Sequence, residues 1–251
     1  MDVATSPGDP RRYTTDLSDE QWALIEPLLP ARSKDGPKPR HAYRDVVDAI
    51  FYVVRTGCAW RHLPSDFPPW QTVFGYFTRW RREGVVLRMH DRLRDAARDE
   101  AGRDPMASAG IVDAQSVKGA ATVGSGTRGY DAGKKVNGRE RHIVVDTTGL
   151  LLVVMVTAAS VQDRDGGRLV LAKAKMAMPS LAHVWADGGY AGKLLAFVHA
   201  LCRITVQIVK IPKGTAYFRG PCPPLGRGAD AVLDQCLPPS GPRLRASARA
   251  L

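Results

Sequence analysis

Two short runs constrain this chain more than any other feature. Ile111-Val112-Asp113-Ala114-Gln115-Ser116-Val117-Lys118 and Val184-Trp185-Ala186-Asp187-Gly188-Gly189-Tyr190 each climb through apolar residues, reach a single aspartate and then turn polar. Asp113 and Asp187 therefore read as carboxylates at the C-terminal ends of two buried strands. Open α/β sheets bind their ligands beyond such strand ends. Two carboxylates brought together there make a site for a divalent metal ion. They stand far apart in the chain, so only folding joins them.

The charge balance suggests what such a metal would act on. Lys and Arg number 36 against 25 Asp and Glu, a formal net charge of +11. A basic surface is repaid by a polyanion through counterion release, which points to nucleic acid. No stretch approaches the length of an apolar membrane span, and Met1 to Arg12 is polar, unlike a signal peptide. No membrane partner is expected. Cys58, Cys202, Cys222 and Cys236 lack paired metal-ligand spacing and read as thiols of a reducing cytoplasm.

Composition and period divide the chain into four parts. Residues 1–14 read as a flexible N-terminus and 15–103 as a helical domain. Residues 107–211 read as an α/β domain, and 212–251 as a disordered tail. In the helical part, Ser18 and Gln21 form a capping box and Leu17 can staple onto Trp22. Pro27 shortens or bends that first helix. A Pro/Gly/Lys linker follows over 31–40. Tyr43 to Val54 recur at helical spacing up to Gly57, Trp70 to Arg82 form a third helix, and Val85 to Ala101 a fourth. Trp22, Trp60, Trp70 and Trp80 read as core.

The α/β part changes period. Short strands are expected over 109–113, 141–146, 151–157, 182–186 and 204–209, with helices over 165–178 and 193–201. Thr147-Thr148-Gly149-Leu150 marks a hairpin. Strand, strand, strand, helix, strand, helix, strand is an order that suits the ribonuclease H-like α/β fold. Other acids have local explanations. Asp146 precedes a turn, and Asp163 and Asp165 sit at a helix start, where capping accounts for them. His142 reads as a packed histidine.

Candidate DNA contacts fall in three places. Lys118, Lys134, Lys135, Arg139 and Arg141 surround the first acid and can grip phosphates. Arg79, Arg81 and Arg82 lie on the third helix, where a helix-turn-helix-like reader would meet DNA. Lys38 and Arg40 add positive charge to the linker. A solvated basic surface fits the same residues, and the sequence leaves both readings open.

At its motifs the chain resembles bacterial insertion-sequence transposases of the DDE type, insertion sequence family five. The matching runs are Leu-Ser-Asp-Glu-Gln-Trp (17–22), Gly-Cys-Ala-Trp-Arg-His-Leu-Pro (57–64), Val-Asp-Ala-Gln-Ser-Val-Lys (112–118), Arg-His-Ile-Val-Val-Asp-Thr (141–147) and Ala-Asp-Gly-Gly-Tyr-Ala-Gly (186–192). They occur in order across roughly residues 15–210. The resemblance implies an all-α, helix-turn-helix-like DNA-binding domain followed by a ribonuclease H-like catalytic domain. It makes Asp113 and Asp187 the first two catalytic acids, holding Mg2+ (or Mn2+). It implies hydrolysis followed by strand transfer, with double-stranded DNA as partner: the terminal inverted repeats and the target. A homo-oligomer is implied as well, since two element ends must be paired. A DNA-binding remnant without activity and a ribonuclease H-like nuclease unrelated to transposition are the alternatives.

The third acid of that family is a glutamate in a run Trp-Val-Val-Glu-Arg-Thr, and no such run occurs here. Residues 212–251 instead hold seven of the chain's 18 prolines and sustain no apolar period. Leu225-Gly226-Arg227-Gly228-Ala229-Asp230 can be encoded CTG GGT CGT GGA GCG GAC. Read one base later, with a following G, that becomes TGG GTC GTG GAG CGG ACG, which spells the missing run. The tail therefore reads as translated out of frame, with the slip between about Ile211 and Leu225. Nucleotide sequence across codons 205–251 should contain the run in the shifted frame. Its absence from that frame would remove the explanation.

Overall fold

A computed structural model describes residues 13–31, 40–119 and 127–209. Residues 1–12 of the N-terminus expected to be flexible, most of the linker with Lys38, and the whole expected tail lie outside the described residues. Contacts divide the chain after Pro105 into two compact units. Among the described residues, no helix is long and apolar enough to cross a membrane.

The first unit is all helix. α1 (Asp19–Ile25) starts at the expected capping box: Gln21 N–H donates to Ser18 Oγ at 3.2 Å, and Ser18 N–H to Gln21 Oε1 at 3.0 Å. Pro27 ends it, and the chain tightens into a 3₁₀ turn over Glu26–Leu28. α2 (Tyr43–Thr56) stops at Gly57, whose φ of 68° belongs to the left-handed region that favours glycine. α3 (Trp70–Arg82) and α4 (Val85–Glu100) are joined by Glu83 and Gly84 alone. Trp80 is fully buried, edge-on to Tyr43 at 5.4 Å, within a core that includes Ile25, Val46, Val47, Val73 and Val85. Trp22 and Trp60 pack against the same core. Packing reaches back to Tyr13, which stacks on Phe67.

The second unit is a six-stranded sheet with two helices. β1 (Ala109–Lys118), β2 (Gly129–Asp131), β3 (Val136–Asp146), β4 (Leu151–Ala158), β5 (His183–Ala186) and β6 (Thr205–Ile208) run in the order β2-β3-β1-β5-β6, with β4 also on β3. β1, β5 and β6 are mutually parallel, while β3 is antiparallel to β1, β2 and β4. α5 (Asp163–Ala177) and α6 (Lys193–Cys202) fall between strands as expected for the ribonuclease H-like order. Val112, Val144, Val153, Val170, Leu171, Val184, Leu194, Val198 and Ile204 share one core. Ile111, Ile143 and Val145 form a second small cluster, with Leu151 and Trp185 packed against it.

Two expectations need correction. β1 does not end at Asp113: it runs on to Lys118, because β3 keeps pairing with it through Lys118 opposite Gly138. Its pairing with parallel β5 stops earlier, at Ile111 opposite Trp185, so Asp113 follows the end of that ladder and not the end of the strand. Likewise β3 begins at Val136, not Arg141. The basic stretch before Arg141 is a hairpin arm, and backbone pairing with β1 and β2 holds it where apolar burial does not.

α5 lies against the sheet through Gly166. A Cβ there would overlap the imidazole of His142, which is fully buried in β3. Glycine costs about 1 kcal/mol inside a helix, so its presence reflects this close approach. Gly166→Ala should lower stability by about 1–3 kcal/mol through overpacking, despite the gain in helix propensity. A urea midpoint equal to or above that of the unaltered chain would show that α5 stands off the sheet.

Candidate functional site

The register of the parallel ladder places the two aspartates. Ile111 pairs with Trp185, and Asp113 and Asp187 each lie two residues further along neighbouring strands. Asp113 stays within β1, whereas Asp187 lies just past the end of β5 at Ala186, and the charge of Asp187 acts on the Asp113 carboxyl. Asp113 Oδ1 accepts a hydrogen bond from Ala114 N–H at 2.8 Å, and Asp187 Oδ1 accepts one from Gly189 N–H at 2.9 Å. Asp187 thereby caps the 3₁₀ turn Gly188–Tyr190.

Other acids converge on the same end. Glu140 on β3 faces Ser116 on β1 and is 1 % exposed. It accepts from Ser116 Oγ at 3.1 Å and from Lys134 Nζ at 2.6 Å. Asp163 opens α5, but the N-cap is Gln162, whose side chain makes no capping bond. Asp163 Oδ1 lies 3.7 Å from Lys134 Nζ. Asp163 thus keeps its expected place in the first turn of α5 and has a second one in the carboxylate cluster. Glu140, His142 and Asp163 bring one potential ligand atom each within 4.8 Å of one another.

Crowding shows in the titration of the group. The surrounding protein, then the charges of Asp187 and Glu140, push the Asp113 carboxyl above its ordinary range, against the Ala114 N–H and Lys134. Burial and the charges of Glu140, Asp187 and Asp131 push Asp163 up as well, with Lys134 opposing. Burial works against the charge on Lys134, but Glu140, Asp163 and Asp131 outweigh it and raise that ammonium's pKa. Burial chiefly, then Asp163, Asp113, Asp187 and Glu140, raises the Tyr190 phenol. Like charges gathered in one place disfavour full ionisation and call for a cation.

The donor set suits a hard cation. Carboxylate oxygens at strand ends are the ligands Mg2+ and Mn2+ prefer. Two buried polar atoms beside them, Tyr190 Oη and His142 Nδ1, have no hydrogen-bond partner. His142 Nε2 is accounted for by Thr157 Oγ1 at 3.0 Å. Asp146 accepts from Thr148 N–H, Thr148 Oγ1 and Leu150 N–H, so it serves the β3–β4 turn.

The candidate DNA contacts are spread over both units. Arg79, Arg81 and Arg82 are exposed on α3. Arg79 stacks over Tyr76 at 4.9 Å, and Arg79 and Arg82 line a shallow groove with Gln71, Thr72, Gly75 and Tyr76. Arg40 is exposed. Lys118 and Lys135 are exposed near the ends of β1 and the hairpin. Arg139 donates to Thr127 Oγ1 at 2.7 Å and Arg141 to Gln115 Oε1 at 3.3 Å. Lys134 is paired with acids.

Residues 104–237, more than half of the chain, match the family described as "Transposase DDE domain", and residues 17–90 match "Putative transposase of IS4/5 family". The chain belongs to the DDE transposases. This transposase is also 32 % identical over 123 residues to "Insertion element IS402 uncharacterized 16.2 kDa protein" of Burkholderia cepacia, covering 45 % of the chain and 77 % of that protein. It is 27 % identical over 117 residues to "Uncharacterized protein y4sN" of Sinorhizobium fredii (strain NBRC 101917 / NGR234), covering 38 % and 94 %. Transposases of this kind bind DNA, and their DDE domains, which are ribonuclease H-like, use divalent metal ions.

Glu140 escaped the sequence reading because Arg139 and Arg141 flank it in what looked like a basic loop. The signal was the period of two: with β3 begun at Val136, Glu140, His142 and Val144 alternate onto one buried face. Lys134→Met would leave Glu140 buried without its cation. Stability should fall by about 1–3 kcal/mol, and Lys134→Met combined with Glu140→Gln should recover part of it. Urea unfolding of the three variants measures this. Unchanged stability in the single variant would mean the ion pair does not hold the hairpin.

Proposed function

We propose that this transposase cuts and joins element-end DNA with a divalent metal ion, Mg2+ or Mn2+, held by Asp113 and Asp187. The observation that supports the reading is the parallel β1–β5 ladder, whose last pair, Ile111 with Trp185, comes two residues before each aspartate. A bound ion would activate the attacking oxygen and stabilise the leaving one. The chain's own residues do the rest. Asp113 and Asp187 hold their carboxylates by bonds to Ala114 and Gly189 N–H, which fixes where their remaining oxygens point. The exposed Arg79, Arg81 and Arg82 on α3, with Arg40, Lys118 and Lys135, bind the phosphate backbone and hold the duplex in register. Arg139 and Arg141 steady the hairpin arm beside the first acid. A homo-oligomer pairs the two terminal inverted repeats.

We further propose that the tail is out of frame and that the chain as written is impaired, since the run carrying a third glutamate is missing from its sequence. The tail read one base later should then cleave terminal-repeat DNA with Mg2+ faster than the chain as written.

In that restored version, Asp113→Asn and Asp187→Asn should each slow cleavage about a hundredfold or more while leaving DNA binding in place. Arg79→Ala and Arg82→Ala should weaken binding alike on all sequences, each lowering the salt slope by about one. Gel cleavage assays and salt titrations of binding separate these effects. Undiminished cleavage by both aspartate variants would defeat the metal-anchor reading.

A further inference from the structure

The Asp163 carboxylate is divided between two neighbours. Its Oδ1 faces the Lys134 ammonium at 3.7 Å. Its Oδ2 faces the other way, toward Gly189 and Asp187. A Cβ built on Gly189 would stand 3.0 Å from Asp163 Oδ2 and 3.1 Å from Asp187 Oδ1. Two carboxylate oxygens from different elements thus approach a single point, and only a residue without a side chain keeps the space between them open.

A second observation points to what fills that space. Tyr190 is 1 % exposed, and its hydroxyl has no hydrogen-bond partner. The Asp163, Asp113, Asp187 and Glu140 carboxylates are near enough for their charges to act on that hydroxyl. A buried hydroxyl without a partner destabilises the fold, and a hydrated cation beside it would supply the partner. Gln162, not Asp163, holds the N-cap position of α5, and the Lys134 ion pair is made by the other oxygen, Oδ1. Asp165, in the same helical turn, points elsewhere, 3.8 Å from Arg168.

We propose that Asp163 supplies, through Oδ2, a third carboxylate oxygen to the divalent-cation site of Asp113 and Asp187. The proposal rests on the reading of those two aspartates as metal anchors. It gives the chain an oxygen-rich donor set of the kind that Mg2+ and Mn2+ take, built entirely from residues before the tail. Lys134 neutralises the far side of Asp163 and Glu140, so the incoming ion meets Oδ2 of an already positioned carboxylate.

The test is Mn2+ binding to the full chain after EDTA treatment, with free Mn2+ read by electron paramagnetic resonance. Asp163→Asn should weaken Mn2+ binding about tenfold or more, as should Asp187→Asn, while Asp165→Asn leaves it unchanged. Asp163→Ser, shorter and also neutral, serves as the second variant. Thermal melts in EDTA check that each variant folds, which is expected because removing one of several crowded carboxylates relieves repulsion. Mn2+ binding that survives in both Asp163 variants but is lost in Asp187→Asn would overturn the role of Asp163 and leave the two-aspartate site standing. Binding that also survives in Asp113→Asn and Asp187→Asn would overturn both readings together.

Discussion

The parallel pairing of β1 with β5 is the constraint from which the acidic end of the second unit follows. Ile111 opposite Trp185 is its last pair, and an aspartate follows two residues later on each side, Asp113 within β1 and Asp187 just past β5. A slip of one residue would send an aspartate to the other face of the sheet. Burial holds that register: Val112 and Val184 lie in the main core, while Ile111 and Trp185 pack together on the opposite side. The apolar residues that fold the sheet are thus the same ones that align the carboxylates.

Gathering acids in one place opposes folding, and the structure answers with a cation of its own. Lys134 reaches from the β2–β3 hairpin to Glu140 and Asp163, with Asp131 at 3.9 Å. Asp131 anchors that hairpin by accepting the N–H groups of Gly133 and Lys134, and these bonds, the Lys134 N–H first, lower its pKa. The hairpin is therefore both the source of the counter-charge and one of the elements it ties down. Burial first, and neighbouring carboxylates after it, raise the pKa values of Asp113 and Asp163, and perturbed groups of this kind cluster at functional sites.

Much of the fold was legible because it rests on burial with a clear period. The capping box at Ser18, the stop at Gly57, the break at Pro27 and the hairpin at Thr147 to Leu150 are local rules obeyed locally. Where backbone pairing replaced apolar burial, the reading stopped short. β1 beyond Asp113 and β3 before Arg141 carry polar and charged residues, and they are strands only because each is the other's partner. Glu140 was hidden for the same reason. Asp163 was hidden by a different one: an acid at a helix start has a ready local explanation, and only its neighbours across the fold add a second.

The sequence by itself determined the two-unit plan, the basic character, the identity of Asp113 and Asp187 as strand-borne acids, and membership among DDE transposases, because apolar period and short motifs are properties of contiguous residues. Tertiary structure alone decided that Glu140 lies buried under Lys134, that Gly166 lets α5 close onto His142, and that Asp163 turns one oxygen toward Asp187. The last two relations join residues 24 positions apart. Electrostatic interaction and close packing depend on distance in space, which no local pattern along the chain encodes.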